Sequence, residues 1–228
     1  MNQPSASLRD VFVVVLALAT GAMDAVTFLR LGNVFSSVIT GNLVLLAVAA
    51  GQRHASLALN GGLALAGFSV GVLAGSPMAG ASRDGQPAWP RQVTVTLAIE
   101  LVVLAGFSGG WLATGGHPSD GARLALLGVG SAAMGLQTAA VRRLGQMSST
   151  YLTSTLAGLV QALAVRRMPP DWQRSTGVLV TLILGAVLGA VAAELLAGLV
   201  PVAVLAPVAV VVTCSLRPAA RHNQPEGG

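Results

Sequence analysis

The chain contains no lysine and a single cysteine, and only 9% of its 228 residues are charged. Each shortage excludes something. A soluble domain carries about 25% charged residues, so most of this surface faces something other than water. Cys214 has no second cysteine to pair with, which rules out an internal disulfide and a cysteine-built zinc site. His54, His117 and His222 fall in separate connections or the tail, so no histidine metal cluster is expected. There is no nucleophile–base pair, glycine-rich phosphate loop, metal-ligand spacing or pair of catalytic carboxylates. An enzyme, including one acting on lipid, is disfavoured, and no cofactor is expected. The thirteen basic residues are all arginine, giving a net charge of +5. They are spread through short connections rather than gathered on one patch, the pattern of loop ends between membrane spans and not of a nucleic-acid partner.

What is abundant is apolar sequence: 54% of residues, with mean hydropathy +0.74. Crossing about 30 Å of hydrocarbon takes about 20 residues. Eight stretches approach that length: 11–29, 36–52, 57–80, 93–113, 122–141, 148–165, 175–199 and 201–216. The second, sixth and eighth are the shortest, and the eighth contains Pro201 and Pro207. The fold class read from this is all-α: one polytopic membrane helix bundle over residues 1–228, with about eight transmembrane helices and the lipid bilayer as its solvent. The first 22 residues have the look of a secretory signal, but the apolar run continues through Leu29, so the first span is expected to be retained. Trp89, Trp111 and Trp172 fall at predicted span ends, where amphipathic aromatics sit. With eight spans, eight arginines fall on the side of the N-terminus and five on the other, which favours both termini in the cytoplasm.

The chain also repeats itself. Arg30 through Leu46 aligns without a gap on Arg143 through Leu159, with seven of seventeen positions identical. Repeat 1 covers about 8–113 and repeat 2 about 121–216. Four spans per repeat is an even number, so the halves are expected to run parallel, around a pseudo-twofold axis along the membrane normal. Gly67, Gly71 and Gly75 recur at every fourth position in the third stretch, as do Thr181, Gly185, Gly189 and Ala193 in the seventh. Such stripes let helix backbones approach closely. They are packing seams, or faces for homo-oligomer formation.

A charge in hydrocarbon costs on the order of 3 kcal/mol, so each intramembrane carboxyl needs a reason. There are three: Asp24, Glu100 and Glu194, all roughly 7–11 Å below one surface by the helical rise. The hairpin of the first two stretches pivots near Asn33, which matches Asp24 in depth with Asn42, beside Thr40. In the second half Gln137 and Thr155 flank Gln146 in the same way, close to Thr153. One half offers an acid, the other an amide. Asp24, Thr40, Asn42, Gln137, Thr153 and Thr155 are therefore the candidate ligand-binding set, with Glu100 and Glu194 as accessory acids. A structural hydrogen-bond clamp fits Asp24 equally well.

The segments Gly21-Ala-Met-Asp24-Ala25-Val-Thr-Phe28-Leu, Gly32-Asn-Val-Phe35 and Thr40-Gly41-Asn42-Leu43 resemble the YoaK-like family of small bacterial inner-membrane proteins. Gly135-Leu-Gln137 through Arg143 and Thr150-Tyr-Leu-Thr153 extend the resemblance. It implies a multi-pass protein of the bacterial plasma membrane and carries no established activity. Two departures, Ser154-Thr155 after Thr153 and Thr138 after Gln137, argue against two equivalent sites. The expectation is a permease or carrier for a small polar solute, with Asp24 the residue whose protonation couples to movement. The alternative is a membrane scaffold or regulatory subunit whose small-residue faces hold partners.

Overall fold

The computed structural model describes residues 6–81, 88–145, 150–166 and 172–216, all of them helix or short connection. The order is α1 (Ala6–Val26), running on through a π-helical turn (Thr27–Gly32), then α2 (Ile39–Gly51), α3 (Ala55–Ala79), α4 (Arg91–Ala113), α5 (Asp120–Arg143), α6 (Thr150–Val165), α7 (Trp172–Leu195) and α8 (Val200–Leu216). Each apolar stretch becomes a helix. Six of them, α1, α3, α4, α5, α7 and α8 with its short lead-in, are long and apolar enough to cross a membrane. The other two, α2 and α6, have 13 and 16 residues. At 1.5 Å per residue α2 is about 20 Å long, short of a full crossing. Eight expected spans thus become six long helices and two short apolar ones.

Large apolar side chains such as Val70, Leu73, Val102, Ile183 and Leu195 point outward, as lipid-facing helices require. Inside, α4 shows how sequence makes the core: Val93, Leu97, Glu100, Leu104, Phe107 and Trp111 recur at three- and four-residue steps and bury one stripe. The tightest packing joins α3 to α5 and α1 to α7. Both pairs run parallel and both rely on glycine. A methyl group on Gly71 would strike the Ala132 carbonyl, and one on Gly185 would strike the Leu18 carbonyl. The small-residue stripes are thus occupied within the chain, α3 against α5 and α7 against α1.

α4 and α5 form an antiparallel pair, with Gly110 against Leu126 and Gly130 against Phe107. α1 and α5 also run in opposite directions, since Met23 lies against Gly130 whereas Leu16 and Thr20 hold Gln137. Contacts at the helix ends agree. Arg174 pairs with Asp10 at the starts of α7 and α1, and Trp111 donates to the Ala197 carbonyl (2.8 Å) where α4 and α7 end. Trp89 and Trp111 do stand at helix ends, but they are buried: Trp89 donates to Thr94 Oγ1 (2.9 Å) and packs edge-on against Phe12. Their indoles tie helix ends together instead of facing the lipid boundary. Trp172 is exposed.

Candidate functional site

Between α1 and α2 the chain leaves helical geometry. The π turn ends at Gly32, with φ of 138°, and Asn33 takes a left-handed conformation with φ of 58°. Residues 33–38 then run irregularly to the start of α2. Irregular backbone inside a membrane protein has no water to satisfy it, so side chains must. Asn42 Oδ1 accepts from the Phe35 N–H (2.9 Å) and its Nδ2 donates to the Phe35 carbonyl (2.6 Å). Asn60 Nδ2 donates to the Gly32 carbonyl (3.1 Å). Asp24 accepts from the Ser36 hydroxyl (2.8 Å), the Ser37 N–H (2.8 Å) and the Ser37 hydroxyl (2.6 Å). Ser37 lies two residues before α2, so the Asp24 carboxylate fixes the limb that leads into that helix.

The irregular limb therefore descends from the end of α1 to the level of Asp24, two turns back along that helix. α2 then climbs alongside the start of α3, with Gly61 against Asn42 and Leu46. Segment and helix together enter and leave on one face.

On the far side of Ser37 lies a cavity of about 80 Å³. Val13, Leu16 and Ala17 of α1 and Val178 and Leu182 of α7 form its apolar wall, with Leu152 from the start of α6. Its polar lining is Thr20, Ser37, Gln137 and Thr138. Gln137 is buried, 6% exposed; its Nε2 donates to Thr20 Oγ1 (2.7 Å) and the Leu16 carbonyl (3.3 Å). Its Oε1 makes no hydrogen bond among the described residues.

The residues singled out from the sequence fall into three groups. Asp24 and Gln137 approach a shared centre: Gln137 meets Thr20, one turn from Asp24, and Ser37 joins the Asp24 carboxylate to the cavity wall. Asn42 holds Phe35 and not the acid; the residues that reach Asp24 are Ser36 and Ser37. Thr155 is buried, while Thr40 and Thr153 are exposed. Gln146 lies outside the described residues. Glu194 sits at the end of α7, half exposed, 3.3 Å from Arg30. Glu100 is wholly buried in the α4 stripe, and neither carboxyl oxygen has a hydrogen-bond partner among the described residues. Thr20 and Asn60 were missed by sequence reasoning. Thr20 was findable, since it stands four residues before Asp24 on the same helix face. Asn60 was a lone amide in a span, and nothing in the sequence pointed it at Gly32.

Six helices long and apolar enough to cross a membrane make this a multi-pass helical membrane protein. The chain belongs to the family described as "Protein of unknown function (DUF1275)", which it matches over residues 12–215. It is 35% identical over 164 residues to the UPF0700 transmembrane protein YoaK of Bacillus subtilis (strain 168), an alignment covering 71% of this chain and 70% of that protein. No solved structure matches the chain.

Proposed function

We propose that this protein is a plasma-membrane permease that carries a small polar solute through the cavity between two inverted halves. The observation that carries the reading is the cavity itself: Thr20 and Ser37 come from the first half, Gln137 and Thr138 from the second, and the limb before α2 and the first turn of α6 reach it through Ser37 and Leu152. Folds of this kind place their solute between repeats, at interrupted helices.

Support for the repeat comes from the packing. Gly67 lies on the Gly128 carbonyl and Thr181 donates to the Val14 carbonyl; Gly71 lies on Ala132 and Gly185 on Leu18. In each case residues 114 apart exchange roles between α3–α5 and α7–α1 (181 for 67, 14 for 128). The repeated Arg-Leu-Gly obeys the same exchange: Arg30 donates to the Ala193 carbonyl and Arg143 to the Ala79 carbonyl, each guanidinium closing the last turn of a neighbouring helix. Arg30 and Arg143 are 113 apart, not 114, so the first half holds one extra residue after Gly21. The π turn at Thr27–Gly32 is where such an insertion is absorbed.

With α2 and α6 dipping in and out, each half crosses three times. Three is odd, so the halves run in opposite directions, whereas eight crossings would make them parallel. The arginines favour this arrangement. Only Arg30, Arg53 and Arg123 fall on the face away from the N-terminus, leaving ten of thirteen on the other, against the eight-to-five division of an eight-span reading. That division favours an N-terminal face in the cytoplasm.

In this reading α2 and its irregular limb form the outer gate, latched by Asp24. Adding a proton to that carboxylate turns one acceptor oxygen into a donor and releases one of its three bonds. This is how Asp24 would couple a proton to movement. The scaffold alternative loses its stated surface, because the small-residue stripes are already packed inside the chain.

The test uses full-length protein in vesicles with Cys214 replaced by serine. A Thr20→Cys thiol is expected to react with a small polar reagent from the N-terminal face, and from the opposite face once Asp24→Asn unlatches α2. A thiol unreactive from both faces in both backgrounds would mean a dry packing seam and return the scaffold reading.

A further inference from the structure

We propose that Thr138 is the residue on which a second gate, α6, closes. It is the neutral counterpart of Asp24, so a proton acts on one gate alone. The inference rests on the permease reading and on its inverted halves.

Packing assigns the counterpart. A methyl group on Gly21 would strike the Leu182 carbonyl and the Ala186 nitrogen; one on Gly135 would strike the Phe68 carbonyl and the Val72 nitrogen. Each residue is 114 positions from its equivalent (135 for 21, 68 for 182, 72 for 186). One position further along, Gly189 meets Ala22 and Gly75 meets Leu136, again 114 apart. α1 stays regular to Val26 and α5 to Arg143, so the register carries on to Asp24 in one half and Thr138 in the other. By sequence the hydroxyl donors repeat as well. Ser149 and Thr150 stand 113 residues after Ser36 and Ser37; their side chains lie outside the described residues.

The two positions differ in what meets them. Three hydrogen bonds hold the limb before α2 on Asp24. Thr138 lines the cavity, and its hydroxyl makes no hydrogen bond among the described residues. The helices behind them differ in the same sense. α2 lies along α3, with Gly61 against Asn42 and Leu46. α6 leaves Leu156, Val160 and Leu163 exposed, and nothing lies within 4 Å of a side chain placed at Gly158. One gate is shut on an acid; the other stands off a hydroxyl. A threonine does not titrate, so only the gate on Asp24 answers to protons. No charged side chain lines the cavity. On the helices that form it, Asp10 pairs with Arg9 and Arg174, Glu194 with Arg30, and Arg143 donates to the Ala79 carbonyl, while Arg142 stands in the last turn of α5.

The experiment moves the acid from one half to the other. Full-length protein carrying Cys214→Ser and the Thr20→Cys reporter is sealed in vesicles, and thiol labelling from each face is followed against pH. Gln92→Cys and His117→Cys, both at exposed positions, correct for the pH dependence of a thiol itself. With Asp24 and Thr138 in place, acid should raise labelling from the face opposite the N-terminus about tenfold, the difference between a charged and a neutral acceptor. Labelling from the N-terminal face should hardly change. Asp24→Thr combined with Thr138→Asp should mirror this, with the acid response now on the N-terminal face. If that pair folds poorly, Thr138→Asp alone serves. It should lower labelling from the N-terminal face about tenfold at neutral pH, reversed by acid, whereas Thr138→Asn should leave it high. An acid response that stays on the opposite face after the exchange overturns the role of Thr138 and keeps the permease. So does labelling from both faces that ignores pH, or that ignores Thr138→Asp. A thiol reached from neither face in any variant defeats the permease reading and this inference with it.

Discussion

Asp24 and Glu100 are both buried acids in long apolar helices, yet their surroundings are opposite. Asp24 accepts three hydrogen bonds and holds an irregular segment to the start of α2. Glu100 sits among Leu97, Leu104 and Phe107 with no hydrogen bond among the described residues. Mutation should separate them. Ser37→Ala removes a hydrogen bond to a carboxylate and should lower stability by about 1.5–3 kcal/mol. Glu100→Leu keeps the volume and removes a carboxyl buried without a partner, so it should raise stability by about 1–3 kcal/mol. Thermal unfolding in one detergent reads both. Equal losses in the two variants would mean that Glu100 has a partner role of its own. The sequence made these acids conspicuous by their cost in hydrocarbon. It could not show which was satisfied, because the donors to Asp24 arrive from residues 36 and 37, on a limb whose path depends on α2 being short.

At the scale of elements, glycine decides which helices touch. Gly71 and Gly185 stand where two parallel helices approach until a side chain has no room. Gly71→Val and Gly185→Val should each cost more than about 3 kcal/mol, at the upper end for overpacking and with matching size in the two variants. Gly106 or Gly109, which face open space on α4, should tolerate the same change and serve as the control. The stripes were legible in the sequence from their four-residue interval, but their partners were not. Periodicity shows that a face is flat; it does not say which helix lies on it, and here α3 packs on α5 and α7 on α1. Helix number was legible for a similar reason, since every apolar stretch became a helix. Crossing number was not, because hydropathy cannot tell a short span from a limb that returns to the face it entered. In the proposed repeat the extra residue of the first half is hidden by the ungapped match from Arg30 onward, since it falls just upstream, between Gly21 and Arg30.

For the whole molecule, α5 runs antiparallel to α1, which fits an odd number of crossings before α5. An eight-crossing chain puts the α4–α5 and α7–α8 connections on opposite faces. Here Trp111 donates to the Ala197 carbonyl, and Gly116 lies against the Ala197 side chain. Those contacts put the two connections on one face, which fits an α6 that does not cross. With Cys214 replaced by serine, single cysteines at exposed positions should therefore divide by face. His54→Cys, His117→Cys and Gly198→Cys should react with an impermeant thiol reagent added outside intact cells. Ala81→Cys and Gln92→Cys should react only after the membrane is permeabilised. The position that discriminates is His54. In a parallel bundle of eight spans it shares a face with the N-terminus and is protected in intact cells. In an inverted bundle of six it lies on the opposite face, beside the outer end of α2, and reacts. Protection of His54→Cys together with labelling of Gly198→Cys would restore eight crossings, and the exchange of contacts at a spacing of 114 residues would then need another explanation.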